Sequence, residues 1–174
     1  MDRELSEPLI AAHNRPWSEN EFPILAKWIE ANNAVLDRFV ADSGREKFYT
    51  PLYYNRSADE PGSMFNAGGR SELRPLLMLL LARASLALKA ARVEDAWREC
   101  LVVHRFARQI GQGPFYIDFL VAVIVEECAA AFDGVIAANA GLSCEQARRF
   151  QSGLDHLSPM PQVACVRNYG DRLH

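Results

Sequence analysis

Cysteine is scarce in this sequence, and its spacing gives no sign of a metal knuckle or a redox pair. Four cysteines occur among the 174 residues, at positions 100, 128, 144 and 165. Structural zinc sites and thiol redox centres are usually marked by closely spaced cysteine pairs, and disulfide frameworks are typical of smaller, cysteine-rich secreted domains. We therefore expect reduced cysteines that pack as small side chains.

The chain also lacks an excess of positive charge and a long hydrophobic run. Its formal net charge is −3, whereas binding to nucleic acid phosphates normally requires a basic face. The longest apolar runs, residues 76–82 and 119–125, are much shorter than the roughly 20 residues that cross a bilayer. The charged N-terminal segment has no apolar stretch typical of a signal peptide. We predict a cytoplasmic protein with no membrane span and no affinity for nucleic acid.

Strand-like alternation of apolar and polar residues is absent as well, and helical signals predict an all-α chain instead. Residues 18–21, Ser-Glu-Asn-Glu, resemble a capping box that follows Trp17. Residues 18–43 are therefore predicted to form one N-terminal helix, or a helix pair broken at Asn32 and Asn33. Residues 44–70 follow no helical or strand period, so we predict a long loop there.

Caps and turns divide residues 71–157 into four helices, which we predict to pair as two antiparallel hairpins stacked as a bundle or a short helical-repeat array. Ser71 precedes the first helix, and residues 90–92 are a tight turn before the second. Residues 143–146, Ser-Cys-Glu-Gln, form another capping box, which begins the fourth helix. Short connections of this kind favour antiparallel neighbours.

A hinge separates the second helix, predicted over residues 93–110, from the third. Glycine commonly ends a helix, and proline is favoured at the first helical position. The residues of the hinge are Gly111, Gln112, Gly113 and Pro114. After the last helix, residues 158–174 are expected to be a linker and the start of a further element of a longer protein. We take residues 1–174 as a single domain.

One segment is similar to a tetratricopeptide-type hairpin. In "LARASLALKAARVEDAWREC", Ala84 and Ala96 occupy the small-residue positions of the two helices. The usual Trp, Tyr and Pro positions of that repeat are not met. Such repeats stack as antiparallel helix pairs and present a surface to other proteins, so the resemblance implies protein binding.

Other segments resemble a family of helical proteins from planctomycete-type bacterial genomes. They are "RPWSENEFPILAKWIEANN", "ARVEDAW" and "HRFARQIGQGP", and the resemblance spans about residues 15–174. It implies an all-α fold and a bacterial source. That family has no established activity, so the resemblance implies none for this chain.

The helical pattern of residues 93–110 forces one histidine inward. At about 100° per residue, the apolar face consists of Val93, Ala96, Trp97, Cys100, Val103, Ala107 and Ile110. His104 falls in the middle of that face, and Arg108 lies at its edge. Because a buried imidazole needs hydrogen-bond partners, we predict that His104 is buried and hydrogen-bonded.

Acidic residues of the third helix are the candidate partners. A narrow stripe on that helix is formed by Asp118, Ala122, Glu126, Ala129 and Asp133. If the hinge is a tight antiparallel turn, Arg108 lies opposite Asp118, and we predict an ion pair between them. The candidate buried polar network or ligand site is therefore His104, Arg108, Asp118 and Glu126. A structural network and a ligand or catalytic site are both compatible with these residues.

No motif identifies a reaction, a cofactor or a metal. The hinge glycines lack the preceding strand and the Lys-Ser/Thr ending of a phosphate loop, and Glu-x-x-His pairs of carboxylate-bridged metal sites are missing. We predict a non-enzymatic module, without cofactor or metal, that binds a protein partner or a second copy of itself. The alternative is a small-molecule-binding or enzymatic domain with its pocket around His104, Arg108 and Asp118, which requires an open cleft that reaches His104.

Overall fold

The computed structural model describes residues 3–45, 53–54, 65–66, 70–113 and 116–162, and over these residues the fold is all-α, as predicted. The helices are α1 (Arg3–Ala12), α2 (Pro23–Asp42), α3 (Arg70–Lys89), α4 (Val93–Ile110), α5 (Tyr116–Asn139) and α6 (Cys144–Asp155). Within the predicted loop 44–70, β1 (Tyr53–Tyr54) pairs antiparallel with β2 (Phe65–Asn66). Most of that loop, Pro114 of the hinge and residues 163–174 lie outside the described residues.

The central helix of the bundle is α4, whose predicted bounds are confirmed. It packs against α3, α5 and α6. On the α2 side, the ring of Phe39 stacks on Phe106 with centroids 4.1 Å apart. The apolar face of α4 is buried as the helical pattern predicts, and this face includes Ala96, Cys100, Val103 and Ala107. The core of the protein therefore surrounds α4.

The last helix, α6, packs against α4, so the predicted second hairpin of α5 with α6 is replaced by a three-way packing around α4. Phe150 of α6 stacks on Trp97, with ring centroids 4.5 Å apart. The predicted capping box is confirmed, because the Ser143 side chain accepts a hydrogen bond from the Gln146 N–H and the Gln146 side chain accepts one from the Ser143 N–H. The cap fixes where α6 begins, but the aromatic contact fixes which helix it packs against.

The predicted N-terminal capping box at residues 18–21 is wrong. These residues form a turn, in which the Glu21 N–H donates to the Ser18 carbonyl at 2.9 Å. The helix begins at Pro23, whose ring occupies the first helical position and has no N–H to satisfy. Trp17 is fully buried instead, and its indole Nε1 donates to the Ala82 carbonyl at 2.8 Å. The turn therefore serves to direct Trp17 into the core.

The helix break predicted at Asn32 and Asn33 is also wrong, since α2 runs without interruption from Pro23 to Asp42. The Asn32 side chain donates to the Trp28 carbonyl at 2.8 Å, so its amide is satisfied within the helix rather than by an alternative backbone turn. Helix α1 is not among the predicted helices, because its ten residues are a short segment in which charged and apolar side chains are mixed.

The connection between α3 and α4 is tight and contains a strained residue. Ala91 has φ +58°, in the left-handed region that favours glycine. The Arg92 N–H donates to the Ala87 carbonyl at 2.9 Å, and the Ala91 N–H donates to the Leu88 carbonyl at 3.0 Å. This is the hydrogen-bond pattern of a Schellman cap. It turns the chain so that α4 folds back along α3.

The hinge glycines are needed for close packing. Gly111 ends α4 with φ −66°, which any residue can adopt. A Cβ at Gly111 would lie 3.0 Å from Pro161 and 3.2 Å from Ala122. A Cβ at Gly113 would overlap the Asp118 side chain, with the Asp118 Cβ only 2.8 Å away. The glycines therefore let the start of α5 and residue 161 approach the end of α4.

Among the described helices, none combines the length and the apolarity needed to cross a membrane.

Candidate functional site

His104 lies in a polar network between α4 and α5. Its side chain is 2% exposed, which confirms the prediction that it is buried. Nδ1 lies 3.0 Å from Glu126 Oε2, and Nε2 lies 3.1 Å from Asp133 Oδ2. Ionised carboxylates only accept hydrogen bonds. With both carboxylates ionised, both ring nitrogens therefore donate, and His104 is an imidazolium.

Arg108 extends the network by one helical turn. Its Nη1 donates to Glu126 Oε2 at 2.7 Å and to the His104 carbonyl at 2.9 Å. Its Nε donates to the Ser158 carbonyl at 2.7 Å. Arg108 therefore holds the Glu126 carboxylate against His104 and ties the segment after α6 to the network.

The predicted ion pair of Arg108 with Asp118 is wrong, because the carboxylate opposite Arg108 is that of Glu126. The two helices are antiparallel, but the connection between them is longer than a tight turn, since α5 begins at Tyr116. Asp118 is 1% exposed and packs against Gly113, at the end of the hinge. Of the four candidate residues, the structure thus brings together His104, Arg108 and Glu126, and places Asp118 apart from them.

Two members of the network are absent from the predicted site residues. Asp133 bonds His104 directly, and Cys100 Sγ lies 3.3 Å from Asp133 Oδ1 and 3.5 Å from the Ala129 carbonyl. The signals are present in the sequence, because Asp133 shares the acidic stripe of α5 with Glu126, and Cys100 precedes His104 by one turn on α4. One ligand atom from each of Cys100, His104 and Asp133 can be chosen so that all three lie within 4.8 Å of one another.

The protonation states follow from burial and from these contacts. Burial lowers the pKa of His104, but the hydrogen bonds to Asp133 and Glu126 outweigh it and raise that pKa from 6.5 to about 9. Burial raises the pKa of Glu126, but its contacts with His104 and Arg108 outweigh it and lower that pKa below 4.5. Burial and the neighbouring Asp133 hold the pKa of the Cys100 thiol well above its usual range. With Arg108 positive, the four charges of the network sum to zero.

A cavity beside this network is lined by Arg108 but not by His104. It has a volume of about 300 Å³, and its charged or ionisable lining consists of Arg45, Arg105, Arg108 and His156. His104 itself is buried. An enzymatic site at His104 would require an open cleft that reaches its ring, and this cavity does not reach it.

A second buried ionic group lies on the side of α4 that faces α2 and α3. Arg83 Nε lies 2.8 Å from Glu99 Oε1, and Arg83 also contacts Asp37 at 2.8 Å. Within the described residues, Glu99 Oε2 has no hydrogen-bond partner. Burial outweighs the attraction of Arg83 and raises the pKa of Glu99 to about 7. This pair borders a groove of about 730 Å³ between α2, α3 and α4.

The surface of α5 that faces away from α4 is apolar. Four large side chains there are exposed, namely Tyr116 (58%), Ile117 (55%), Leu120 (37%) and Ile124 (41%). They continue into a series of small exposed residues. We call this surface the outer face of α5, and its members are Tyr116, Ile117, Leu120, Ile124, Glu127, Ala131, Gly134 and Ala138. Glu127 is its single charged member.

Comparison with known proteins does not indicate a function, so the function has to be inferred from this geometry. No family model, no curated protein and no solved structure matches the chain. The resemblances to a planctomycete-type family and to tetratricopeptide hairpins therefore stay predictions.

Proposed function

We propose that the protein is a non-enzymatic helical module that associates with a second copy of itself through the outer face of α5. The observation that carries the proposal is the row of four large hydrophobic side chains left exposed on that face. Water-exposed apolar surface is unfavourable, and contiguous apolar patches on soluble domains usually mark interaction sites. A helix that is apolar nearly all round is normally covered on all sides.

The outer face is complementary to itself, which supports a second copy as the partner. The side chains in its N-terminal half are large, whereas those in its C-terminal half are small. An antiparallel pairing centred on Glu127 places Ile117 within one residue of the position opposite Ala138, and Ile124 within one residue of the position opposite Ala131. Leu120 then faces Gly134. A twofold axis uses the same patch on both copies, and small residues opposite large ones let two helices pack closely.

Gly134 supports the proposal independently. Glycine within a helix costs about 1 kcal/mol relative to alanine. Within the described part of the chain, no atom lies within 4 Å of a Cβ built at Gly134. The fold itself therefore does not require the missing side chain, whereas close contact with Leu120 of a second copy would.

The alternative, a small-molecule site around His104, Arg108 and Asp118, has less support. His104 is buried, Asp118 lies at the hinge, and the cavity beside Arg108 is lined by neither of them. The contacts of His104 and Arg108 with Glu126, and of His104 with Asp133, also fix α5 on α4.

Sedimentation velocity of the full chain over a concentration series tests the proposal. We expect a reversible monomer–dimer equilibrium. The double variant Ile117→Glu/Ile124→Glu should raise the dissociation constant by about 100-fold or more, because unpaired carboxylates would be buried at the interface. A matched control is Ile24→Glu/Val35→Glu on α2, where both side chains are at least as exposed as Ile117 and Ile124. A chain that stays monomeric, or a control that dissociates as readily, contradicts the proposal.

A further inference from the structure

We propose that Cys100, His104 and Asp133 form a zinc site with three protein ligands. The geometry fits, because ligand atoms of a tetrahedral zinc ion lie about 3.3–3.8 Å apart, given bond lengths near 2.0 Å to nitrogen and 2.3 Å to sulfur. Asp133 Oδ2 is 3.1 Å from His104 Nε2, and Asp133 Oδ1 is 3.3 Å from Cys100 Sγ. The three ligand atoms all lie within 4.8 Å of one another, so an ion between them needs only small side-chain shifts.

The combination of a thiolate, an imidazole and a carboxylate favours zinc over magnesium or calcium. A thiolate is a soft ligand, an imidazole is intermediate and a carboxylate is hard, and zinc accepts all three. Magnesium and calcium prefer oxygen ligands alone. Cys100 and His104 follow one another by one turn of α4, and Asp133 approaches from α5, so the site bridges the two helices.

The surroundings of His104 are those of a metal-binding histidine. Its Nδ1 lies 3.0 Å from Glu126, whose carboxylate is held by Arg108 at 2.7 Å. Histidine ligands typically donate the remaining N–H to a carboxylate, which orients the ring and directs the other nitrogen to the metal. Here that arrangement leaves Nε2 facing Asp133 and Cys100. The Asp133 side chain is 27% exposed, which gives the ion a route from solvent.

Binding is an exchange of one zinc ion for protons. His104 gives up the Nε2 proton, and Cys100 gives up its thiol proton. The ion's two positive charges replace the two protons that leave, so the network stays neutral. This binding site is separate from the proposed self-association, because Asp133 and Glu126 lie on the flank of α5 toward α4 and not on its outer face.

Cobalt substitution and zinc competition test the site in the full chain. Replacing Cys128, Cys144 and Cys165 by serine leaves Cys100 as the single thiol. In this background, Co²⁺ should give thiolate-to-metal charge-transfer absorption and the intense visible bands of a four-coordinate ion. Adding Cys100→Ser should abolish the charge-transfer band. If Co²⁺ gives no such band in the Cys100-only background, or if the band persists after Cys100→Ser, the proposal is overturned.

Two further variants distinguish the metal ligand Asp133 from Glu126, which orients the ring of His104. Asp133→Asn, at a partly exposed position that should tolerate the change, is expected to weaken zinc binding by at least about 100-fold in competition with a chromophoric chelator. Glu126→Gln should weaken it by about 10–100-fold while the cobalt spectrum keeps its shape. Ile117→Glu/Ile124→Glu, on the outer face, should leave the zinc affinity unchanged. Wild-type affinity in Asp133→Asn would show that the metal binds elsewhere and would refute the site.

Discussion

At the residue scale, the buried side chains of His104 and Glu99 on α4 have shifted pKa values with different physical causes. Both pKa values are raised, that of His104 to about 9 and that of Glu99 to about 7. For His104 the raised pKa favours the charged form, because two carboxylates face its ring. For Glu99 it favours the neutral form, because burial removes water from the carboxyl and the contact of Arg83 with one oxygen only partly offsets this.

Glu99 should make the protein less stable as the pH rises. The carboxyl has a pKa of 4.5 when unfolded and about 7 when folded, so between these values the folded state binds more protons than the unfolded state. The free energy of unfolding must then fall as the pH rises through this window and become level above it. The loss is on the order of 1.4 kcal/mol for each pH unit that separates the two pKa values.

The variant Glu99→Gln isolates this effect, because it cannot ionise. Urea unfolding at pH 5 and at pH 8 should show that the variant gains stability relative to the wild type at the higher pH, by about 1–3 kcal/mol. All other titrating groups are common to both proteins and cancel in the difference. An equal difference at both pH values would mean that Glu99 titrates normally.

At the element scale, the sequence predicts the ends of α4 and the start of α6 better than the register in which α4 and α5 pair. The bounds of α4 and the cap of α6 follow from local residues, and both are confirmed. The partner of Arg108 depends on the length of the connection to α5, which the hinge residues alone do not specify. For that reason the sequence predicts Asp118 opposite Arg108, whereas the structure places Glu126 there. The inward position of His104 is predictable because it depends only on the period of one helix.

A double-mutant cycle tests which carboxylate of α5 pairs with Arg108. Arg108→Met combined with Glu126→Gln should give a coupling energy of about 0.5–3 kcal/mol, since the two side chains are in contact. The cycle of Arg108→Met with Asp118→Asn serves as the control and should give a coupling near zero. Coupling in the second cycle but not in the first would show that the helices pair in the other register.

The turn between α3 and α4 offers a stabilising substitution. Ala91 is in the left-handed conformation, where an L side chain costs about 1–2 kcal/mol relative to glycine. We expect Ala91→Gly to raise the free energy of unfolding by about 1 kcal/mol, measured by urea denaturation. Ala90→Gly, one residue earlier and without a positive φ, should not stabilise. Destabilisation by Ala91→Gly would contradict the Schellman geometry.

At the scale of the whole molecule, the sequence predicts the all-α class but not how the helices share the core. Helical period and caps are local, so they are enough to predict the four helices after residue 70. The packing of α6 on α4 depends on the stacking of Trp97 with Phe150, two side chains far apart in sequence. The exposed side of α5 could not be predicted for a similar reason, since an apolar run does not show which of its faces the chain itself covers.

Disulfide trapping tests the proposed self-association most directly. In the background with serine at positions 128, 144 and 165, Glu127→Cys places a thiol at the centre of the antiparallel pairing. A disulfide requires a Cα separation of about 4.4–6.8 Å, and in this register position 127 faces its own copy across the twofold axis. Under mild oxidation we predict rapid formation of a covalent dimer by Glu127→Cys, and little by Ile24→Cys on α2. No covalent dimer from Glu127→Cys, or one formed no faster than with Ile24→Cys, would contradict the account.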